Sequence, residues 1–252
     1  MKKRLVVGNW KMYITSADTA SEFALMLRKK ARGLSGAEVL IAPSFTLIPV
    51  VADVLASSSI RVGAQALSSY TDEKHTGDVS GAMLRAAGAS FVIVGHSERR
   101  AAGDTDALVH AQLENAISAK LMPILCVGEL ERTHEADHFS FVEEQLNTAL
   151  MGIPKNLLKK LVVAYEPVWA IGKSAADAMK PSDVQEMTIF IRKILTEILD
   201  RKMAQRTPVL YGGSVEPDNA PTLLKEGDVS GFLVGHASTN VDSFVSILKA
   251  VR

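Results

Sequence analysis

Residues 161–172, LVVAYEPVWAIG, join a buried strand to a loop. The apolar, β-branched run at 161–164 is short enough to be a strand that is buried on both faces. Pro167 stops the strand because it has no N–H to donate, and it keeps Glu166 out of the helical region. The stretch therefore places a carboxylate at the end of a strand. The apolar residues and Gly172 that follow are typical of a lid, although an ordinary surface loop has the same composition.

The rest of the chain alternates predicted strands and helices, with no linker and no shift in composition. Apolar runs predict strands at residues 4–8, 38–42, 60–64, 91–94, 123–127, 161–164, 207–211 and 229–234. Helical spacing predicts helices at residues 17–32, 50–56, 82–87, 105–119, 139–151, 182–203, 219–224 and 242–251. Thr105 and Ser182 are the predicted N-caps of two of these helices.

Strand-then-helix alternation predicts a parallel sheet with helices outside it, which is an α/β fold. Eight such units in 252 residues predict a closed (β/α)8 barrel, formed as a single domain by residues 1–252. A doubly wound sheet is the alternative, but it usually has fewer strands or a longer chain.

Composition excludes several classes of function. The 28 basic and 28 acidic side chains cancel, so there is no overall basic field for nucleic acid or an anionic membrane. The single cysteine, Cys126, cannot form an internal disulfide and is expected to pack in the core. No apolar run approaches the roughly 18 residues of a membrane span, and the first is too short for a signal peptide. A soluble cytoplasmic protein is expected.

Polar residues or glycines follow most of the predicted strands. They are Asn9, Lys11, Gln65, His96, Glu98, Glu129, Glu166, Ser214, Gly235 and His236. Barrel enzymes carry their sites at the C-terminal ends of the strands, so we expect these residues to share one site. The turns after the last two strands are the common phosphate position in this fold. A lone histidine is more often structural, but a carboxylate and a lysine at neighbouring strand ends favour acid–base chemistry for His96.

Five motifs resemble those of the triosephosphate isomerase family. They are GNWKM at 8–12, VGHSERR at 94–100, AYEPVWAIG at 164–172, YGGSV at 211–215 and GFLVGHAS at 231–238. The similarity covers essentially the whole chain, the motifs occur in the family's order, and several are long and specific. The resemblance implies the TIM-barrel fold and the interconversion of glyceraldehyde 3-phosphate and dihydroxyacetone phosphate, in glycolysis and gluconeogenesis. It implies no metal and no organic cofactor.

The resemblance also implies roles for individual residues. The expected catalytic residues are Asn9, Lys11, His96 and Glu166. Glu166 would be the base that moves a proton between two carbons, strengthened when the lid closes. Neutral His96 would donate a hydrogen bond to the substrate oxygens, and Asn9 would help to hold them. Lys11 would balance the substrate's charge, positioned by Glu98 behind it.

The phosphate and the lid have expected residues as well. Backbone N–H groups near Gly172, Ser214, Gly235 and His236 would hold the phosphate. The lid would comprise Pro167, Val168, Trp169, Ala170, Ile171, Gly172, Lys173 and Ser174. For Glu98 the alternative role is a structural ion pair with Arg99 or Arg100.

The chain departs from the family pattern at several positions. After AIG the family's lid continues with Thr-Gly, whereas here Lys173 follows, so the lid is either shorter or remodelled up to Pro181. His236 stands where the family commonly has a second glycine. Its imidazole could add a charge-assisted hydrogen bond to phosphate or point into solvent, and a glycine-only φ would not survive there. A related isomerase of four-carbon erythrulose phosphates also differs in these two loops and is the alternative function. The family usually has asparagine at the position of Ala66, which puts in doubt one interface hydrogen bond that the resemblance implies.

Two further features concern partners and metals. The family is typically a homodimer, and the long loop at residues 68–78 is expected to dock into the partner; a mobile surface loop is the alternative. Residues 134–138, HEADH, match the H-E-x-x-H zinc pattern. The polar flanks and the lack of an obvious third ligand favour histidines on a solvated helix surface instead. A phosphate-binding protein without activity is disfavoured, since all four catalytic residue types are present.

Overall fold

The computed structural model of the chain describes residues 4–34, 36–132, 136–172 and 179–251. The strands are β1 (Arg4–Asn9), β2 (Ala37–Ala42), β3 (Arg61–Ala64), β4 (Phe91–Val94), β5 (Met122–Val127), β6 (Val162–Tyr165), β7 (Val209–Tyr211) and β8 (Gly231–Val234). Each strand pairs in parallel with the next, and β8 pairs with β1, so the sheet closes on itself. The predicted (β/α)8 barrel is confirmed.

Helices connect the strands. They are α1 (Ala17–Lys30), α2 (Ile48–Leu55), α3 (Gly81–Ala86), α4 (Ser97–Ala101), α5 (Asp106–Ser118), α6 (Asp137–Leu150), α7 (Pro181–Ile198), α8 (Arg201–Arg206), α9 (Ala220–Glu226) and α10 (Val241–Ala250). Short 3₁₀ segments lie at Phe45–Leu47, Lys155–Lys160, Val168–Ala170 and His236–Thr239. Thr105 caps α5 as predicted, by accepting a 3.3 Å hydrogen bond from the N–H of Leu108. In the described part of the chain, no helix combines the length and apolarity that crossing a membrane requires.

The helix predicted at residues 182–203 is in fact two helices. Ser182 is not its N-cap, because α7 begins at Pro181, whose missing N–H needs no acceptor. The helix α7 ends at Ile198, and Asp200 caps α8 by accepting a 2.8 Å hydrogen bond from a backbone N–H. A side-chain cap at an aspartate is a strong local start signal, and here it overrides a helical spacing that continues through the break.

The core has two layers, because every strand is buried on both faces. Inside the barrel lie Leu5, Val7, Leu40, Ala42, Phe91, Ile93, Met122, Ile124, Cys126, Val162, Ala164, Leu210 and Leu233. The second, larger cluster joins the outward-facing strand residues to the helices. Cys126 is fully buried, as expected for a packing residue, and burial raises the pKa of its thiol. A packed barrel interior leaves the strand ends as the place for a site.

The long segment between β3 and α3 contains neither helix nor strand, as predicted, but it is held by specific hydrogen bonds. Ser68 donates to the Asp78 carboxylate over 2.8 Å. The side chain of Asn115, on α5, donates to the carbonyl oxygens of Ser68 and Tyr70 at 3.0 and 3.1 Å. The Tyr70 ring stacks on His75 with the ring centroids 3.4 Å apart. The loop therefore has a defined shape on the body of the barrel.

Candidate active site

A cavity of about 510 Å³ opens at the C-terminal ends of the strands. Its walls include all four predicted catalytic residues and all four predicted phosphate-binding residues. The lining residues are Asn9, Lys11, Tyr13, His96, Glu166, Ile171, Gly172, Gly212, Gly213, Ser214, Val215, Glu216, Leu233, Gly235 and His236. Residues from β1, β4, β6, β7 and β8 thus meet in one place, which strand-end position predicts.

Glu166 lines this cavity and is only 2% exposed. Its backbone N–H donates to the carbonyl of Val127 over 2.8 Å, which continues the β5–β6 pairing for one residue. Gly128 allows this close approach, because a Cβ there would overlap the Glu166 carbonyl oxygen. The Glu166 carboxylate accepts a 2.9 Å hydrogen bond from the N–H of Ser97, and its other oxygen is 3.2 Å from Nε2 of His96. Backbone hydrogen bonding thus fixes the position of Glu166 in the fold, while two contacts among the described residues hold its carboxylate oxygens.

His96 has a hydrogen-bond arrangement that determines which ring nitrogen carries the proton. Its Nδ1 accepts a 3.1 Å hydrogen bond from the N–H of Glu98, in the first turn of α4. An N–H can donate only to a nitrogen that has a free lone pair, so Nδ1 is unprotonated. The proton of the neutral ring is then on Nε2, which faces Glu166 and the cavity. The short helix α4, which the sequence analysis missed, therefore sets the tautomer of His96.

Lys11 is held in an unusual backbone conformation beside these residues. Its φ of 47° is in the left-handed region, which is uncommon for a residue with a side chain. The side-chain oxygen of Asn9 accepts from the Lys11 N–H at 3.1 Å, and Gln65 donates to the Lys11 carbonyl at 2.9 Å. The Lys11 ammonium group donates to Glu98 over 2.6 Å. The strand-end position of Gln65 does not reveal this role, in which its side chain helps to keep Lys11 in this conformation.

The alternative pairing for Glu98 is wrong. Arg99 pairs with Asp104 at 2.9 Å, and Arg100 pairs with Asp106 at 2.5 Å. Glu98 is directed to Lys11 instead, with 60% of its side chain exposed.

Free backbone N–H groups collect at the other end of the cavity. Within the described ranges, no acceptor is present for the N–H groups of Gly172, Ser214, Gly235 or His236. Each of these residues lines the cavity. Unpaired backbone donors that face a common space form an anion-binding arrangement. His236 does not have a positive φ, so the side chain at this position needs no glycine-only conformation.

The first part of the predicted lid is anchored to a second buried carboxylate, Glu129. The N–H of Val168 donates to the Glu129 backbone carbonyl at 2.9 Å. The Glu129 carboxylate accepts from the indole N–H of Trp169 at 2.8 Å and from the hydroxyl of Tyr165 at 2.9 Å. Arg132 donates to it at 3.4 Å, and its guanidinium lies 5.8 Å from the centre of the Trp169 ring. Lys173 and Ser174, predicted as the end of the lid, lie outside the described residues.

Three contributions to the site had little or no signal in the sequence. Ser97 acts through its backbone N–H, which side-chain identity does not reveal. Tyr13 lines the cavity although it lies four residues beyond the end of β1 and not at the strand end itself. The third contribution comes from the hydroxyl of Tyr165. Burial raises its pKa well above the ordinary value, with the charge of Glu129 as the second cause, so the hydroxyl stays a donor.

The H-E-x-x-H motif does not form a metal site in the residues that can be described. His134 and Glu135 lie outside them. His138 is buried against Phe139, with ring centroids 4.2 Å apart, so the expectation of a solvated histidine at this position is wrong. In the described parts of the chain, no three histidine, cysteine, aspartate or glutamate side chains come together as metal ligands would.

The fold and the cavity define a class of protein. A closed parallel barrel with a carboxylate and an imidazole at its strand ends, beside a group of free N–H donors, is typical of a barrel enzyme for phosphorylated substrates. The family model described as triosephosphate isomerase matches residues 4–251. The chain therefore belongs to the triosephosphate isomerase family.

Individual relatives match over nearly their full length. The triosephosphate isomerase of Moorella thermoacetica is 42% identical over 253 residues, which cover 99% of both chains. The triosephosphate isomerase of Endomicrobium trichonymphae is 40% identical over 251 residues, again 99% of both chains. The triosephosphate isomerase of Flavobacterium johnsoniae is 38% identical over 253 residues and matches 100% of both chains.

Proposed function

We propose that this chain catalyses the interconversion of glyceraldehyde 3-phosphate and dihydroxyacetone phosphate. The observation that carries the proposal is the buried pair formed by the Glu166 carboxylate and Nε2 of His96, 3.2 Å apart. This pair shares one cavity with the free N–H groups that suit a phosphate. Membership of the triosephosphate isomerase family supports the same reaction. The proposal includes a place in glycolysis and gluconeogenesis, in the cytoplasm.

The chemistry is a proton transfer between neighbouring carbon atoms. The Glu166 carboxylate removes a proton from the carbon next to the carbonyl, and the electron pair moves onto the carbonyl oxygen to give an enediolate. The proton of the neighbouring hydroxyl group moves to the former carbonyl oxygen, and the carbon of that hydroxyl becomes the new carbonyl. Glu166 returns a proton to the adjacent carbon, so the enzyme ends as it began. In the structure the Glu166 oxygens are bound to Ser97 and His96, and substrate displaces these contacts. Proton transfer within one molecule needs no electron sink, so the mechanism uses no cofactor.

The neighbouring residues stabilise the charge that develops on oxygen. The Nε2–H of neutral His96 turns from Glu166 to the substrate oxygens and donates to the enediolate. The Lys11 ammonium group balances the charge of substrate and enediolate, and Glu98 keeps it in place through the 2.6 Å contact. Asn9, which is 5% exposed, fixes the Lys11 backbone and lies within reach of the oxygen end.

The phosphate end and the lid keep water away from the reacting carbons. The N–H groups of Gly172, Ser214, Gly235 and His236 bind the phosphate and thereby hold the other end of the substrate still. The lid runs from Pro167 to Ser174. Its closure removes water from Glu166, and a desolvated carboxylate is a stronger base.

A coupled enzyme assay tests the proposal. We expect isomerisation of glyceraldehyde 3-phosphate with a kcat/KM near the diffusional ceiling of about 10⁸ M⁻¹s⁻¹. The same assay on erythrulose 4-phosphate is the matched control, because the changes after Gly172 and at His236 raised the four-carbon alternative. None of the relatives named above favours that alternative. Weak activity on the triose with strong activity on the four-carbon substrate would overturn the proposal.

We also propose a homodimer that forms through the loop at residues 68–78. The loop has a defined shape. Several large apolar residues are exposed to solvent, and their exposed fractions are 85% for Met12, 58% for Met83 and 50% for Tyr70, which lies in the loop itself. A cavity of about 380 Å³, lined in part by Met12, Phe45 and Ala66, offers space for a partner's loop. Sedimentation equilibrium should give twice the monomer mass, and a single-chain mass at micromolar concentration would contradict it.

A further inference from the structure

The imidazole of His236 lies at the rim of the phosphate end of the cavity, against the ring of Tyr13. The two ring centroids are 5.4 Å apart and the planes are inclined by 66°, an edge-to-face contact. Both residues line the cavity, and Tyr13 is 55% exposed. The contact limits the directions that the His236 ring can take. The ring is therefore held against Tyr13, another residue of the cavity wall.

The backbone N–H of the same residue is one of the free donors at this end of the cavity. Ring nitrogen Nδ1 lies only a few covalent bonds from that N–H, so one anion can contact both groups. In the described residues, His236 has no ion-pair or hydrogen-bond partner for its ring. A ring donor without an internal partner, next to a phosphate position, is free to bind the phosphate itself.

The charged and titratable groups near His236 also act on an anion bound beside it. Lys11 and Tyr13 share the cavity from the loop after β1, and Glu216 shares it from the turn after β7. His96 and Glu166 lie at its catalytic end. In α10, the helix that follows the His236 turn, the first acidic residue is Asp242, and it is paired with Lys30.

We propose that the His236 imidazole, held by Tyr13, is a side-chain ligand of the substrate phosphate, and that the enzyme binds dianions more tightly when this histidine is protonated. The inference rests on the proposed function, since it adds a ligand to the same phosphate site. Binding and protonation are linked in both directions: a dianion raises the pKa of His236, and affinity for the dianion falls as pH rises through that pKa. Substrate affinity would thereby respond to pH through a residue that takes no part in the proton transfer.

Sulfate is the probe for this proposal, because it stays a dianion between pH 5.5 and pH 8.5 while phosphate esters change charge. Proton NMR follows the imidazole signals through a pH titration, with and without saturating sulfate. The His236 signals are those missing from His236→Gln, which keeps a polar side chain but cannot be protonated. We expect sulfate to raise the pKa of His236 by about 0.5, which corresponds to about threefold tighter sulfate binding to the protonated form.

Inhibition of the isomerase by sulfate is the second readout. Between pH 8 and pH 6 the inhibition constant should fall about threefold more in the wild type than in His236→Gln, a difference that removes any share due to Glu166 or Lys11. Tyr13→Phe keeps the ring contact and should keep the effect, whereas Tyr13→Ala should diminish it. The positioning role of Tyr13 is thereby separated from its hydroxyl.

Two results would overturn the inference, and only the second would also remove support from the proposed function. If sulfate competes with substrate but leaves the pKa of His236 unchanged, the ring points away from the phosphate and only the inference fails. If sulfate does not compete with substrate in the wild type, the phosphate site itself is misplaced and the proposed function loses its support as well.

Discussion

Two buried carboxylates, Glu129 and Glu166, follow neighbouring strands, and each is 2% exposed. They differ in the number of donors around them. The Glu129 carboxylate accepts hydrogen bonds from Tyr165, Trp169 and Arg132. Glu166 accepts from the backbone N–H of Ser97 and lies 3.2 Å from the protonated Nε2 of His96, so it has two donors among the described residues.

The difference shows that burial alone does not make a carboxylate reactive. A carboxylate that accepts from several fixed donors is stabilised as an anion, and this stabilisation makes it a weaker base toward a substrate proton. A carboxylate with few donors, at the wall of a cavity, can exchange those donors for substrate. We therefore assign anchoring of the lid to Glu129 and proton transfer to Glu166, and the following variants test that division.

Glu166→Gln should have the largest effect on activity. The amide keeps the shape of the side chain but cannot accept a proton, so kcat should fall by about 10³-fold or more. Competitive inhibition by sulfate should change little, because the phosphate donors are unaltered. A variant that kept near-full activity would remove Glu166 from the role of base.

Lys11→Met should reduce substrate binding and turnover together. The ammonium group balances charge in the bound substrate and in the enediolate, so KM should rise and kcat should fall, with kcat/KM lower by about 10²-fold. Stability should hardly change, because the Glu98 side chain left behind is 60% exposed and can be solvated. Steady-state kinetics measure the change in KM and kcat, and urea unfolding measures the change in stability. A fall in kcat with unchanged KM would contradict charge balance in the ground state.

Glu129→Gln should have the opposite profile to Glu166→Gln. Its amide NH₂ replaces an acceptor that faces Tyr165 or Trp169, so at least one buried donor is left unpaired. Unfolding at fixed protein concentration should show a loss of about 2 kcal/mol. Activity should fall only about tenfold, through poorer lid placement. Equal stabilities for the two glutamine variants would show that the donors around Glu129 do not distinguish it.

Trp169→Phe should have the smallest effect. It removes only the indole N–H that donates to Glu129 over 2.8 Å, and it keeps an aromatic ring in the lid. We expect kcat/KM to fall by about threefold, since one donor of several is lost. The matched control is Tyr165→Phe, which removes a donor to Glu129 from the strand rather than from the lid. If Tyr165→Phe lowered kcat/KM more than Trp169→Phe, the anchoring of the lid tip would be the lesser role of Glu129.

The elements that could be predicted from sequence are those that local patterns determine. The β-branched runs and helical spacing predict all eight strands and the closed barrel, because a strand buried on both faces is a continuous apolar run. Thr105 was recognised because capping is a local hydrogen bond. The division of residues 182–203 into two helices was missed, since Asp200 competes with a longer-range spacing. The helix α4 was missed because its five residues are too few to show a period.

The sequence by itself determined that Asn9, Lys11, His96 and Glu166 share one cavity, because strand ends of a closed parallel barrel converge on one face. Only the tertiary structure decided how they act there. The Nδ1 of His96 accepts a hydrogen bond from the N–H of Glu98 in α4. Gln65 holds Lys11 in a left-handed conformation, and the Glu129 carboxylate accepts from Tyr165, Trp169 and Arg132. The contacts of Lys11 with Gln65 and of Glu129 with Tyr165 and Trp169 join atoms far apart in the chain, and no pattern of neighbouring residues encodes such distances. The His96 contact is local, two residues long, but it forms only because the chain turns into α4 at that point.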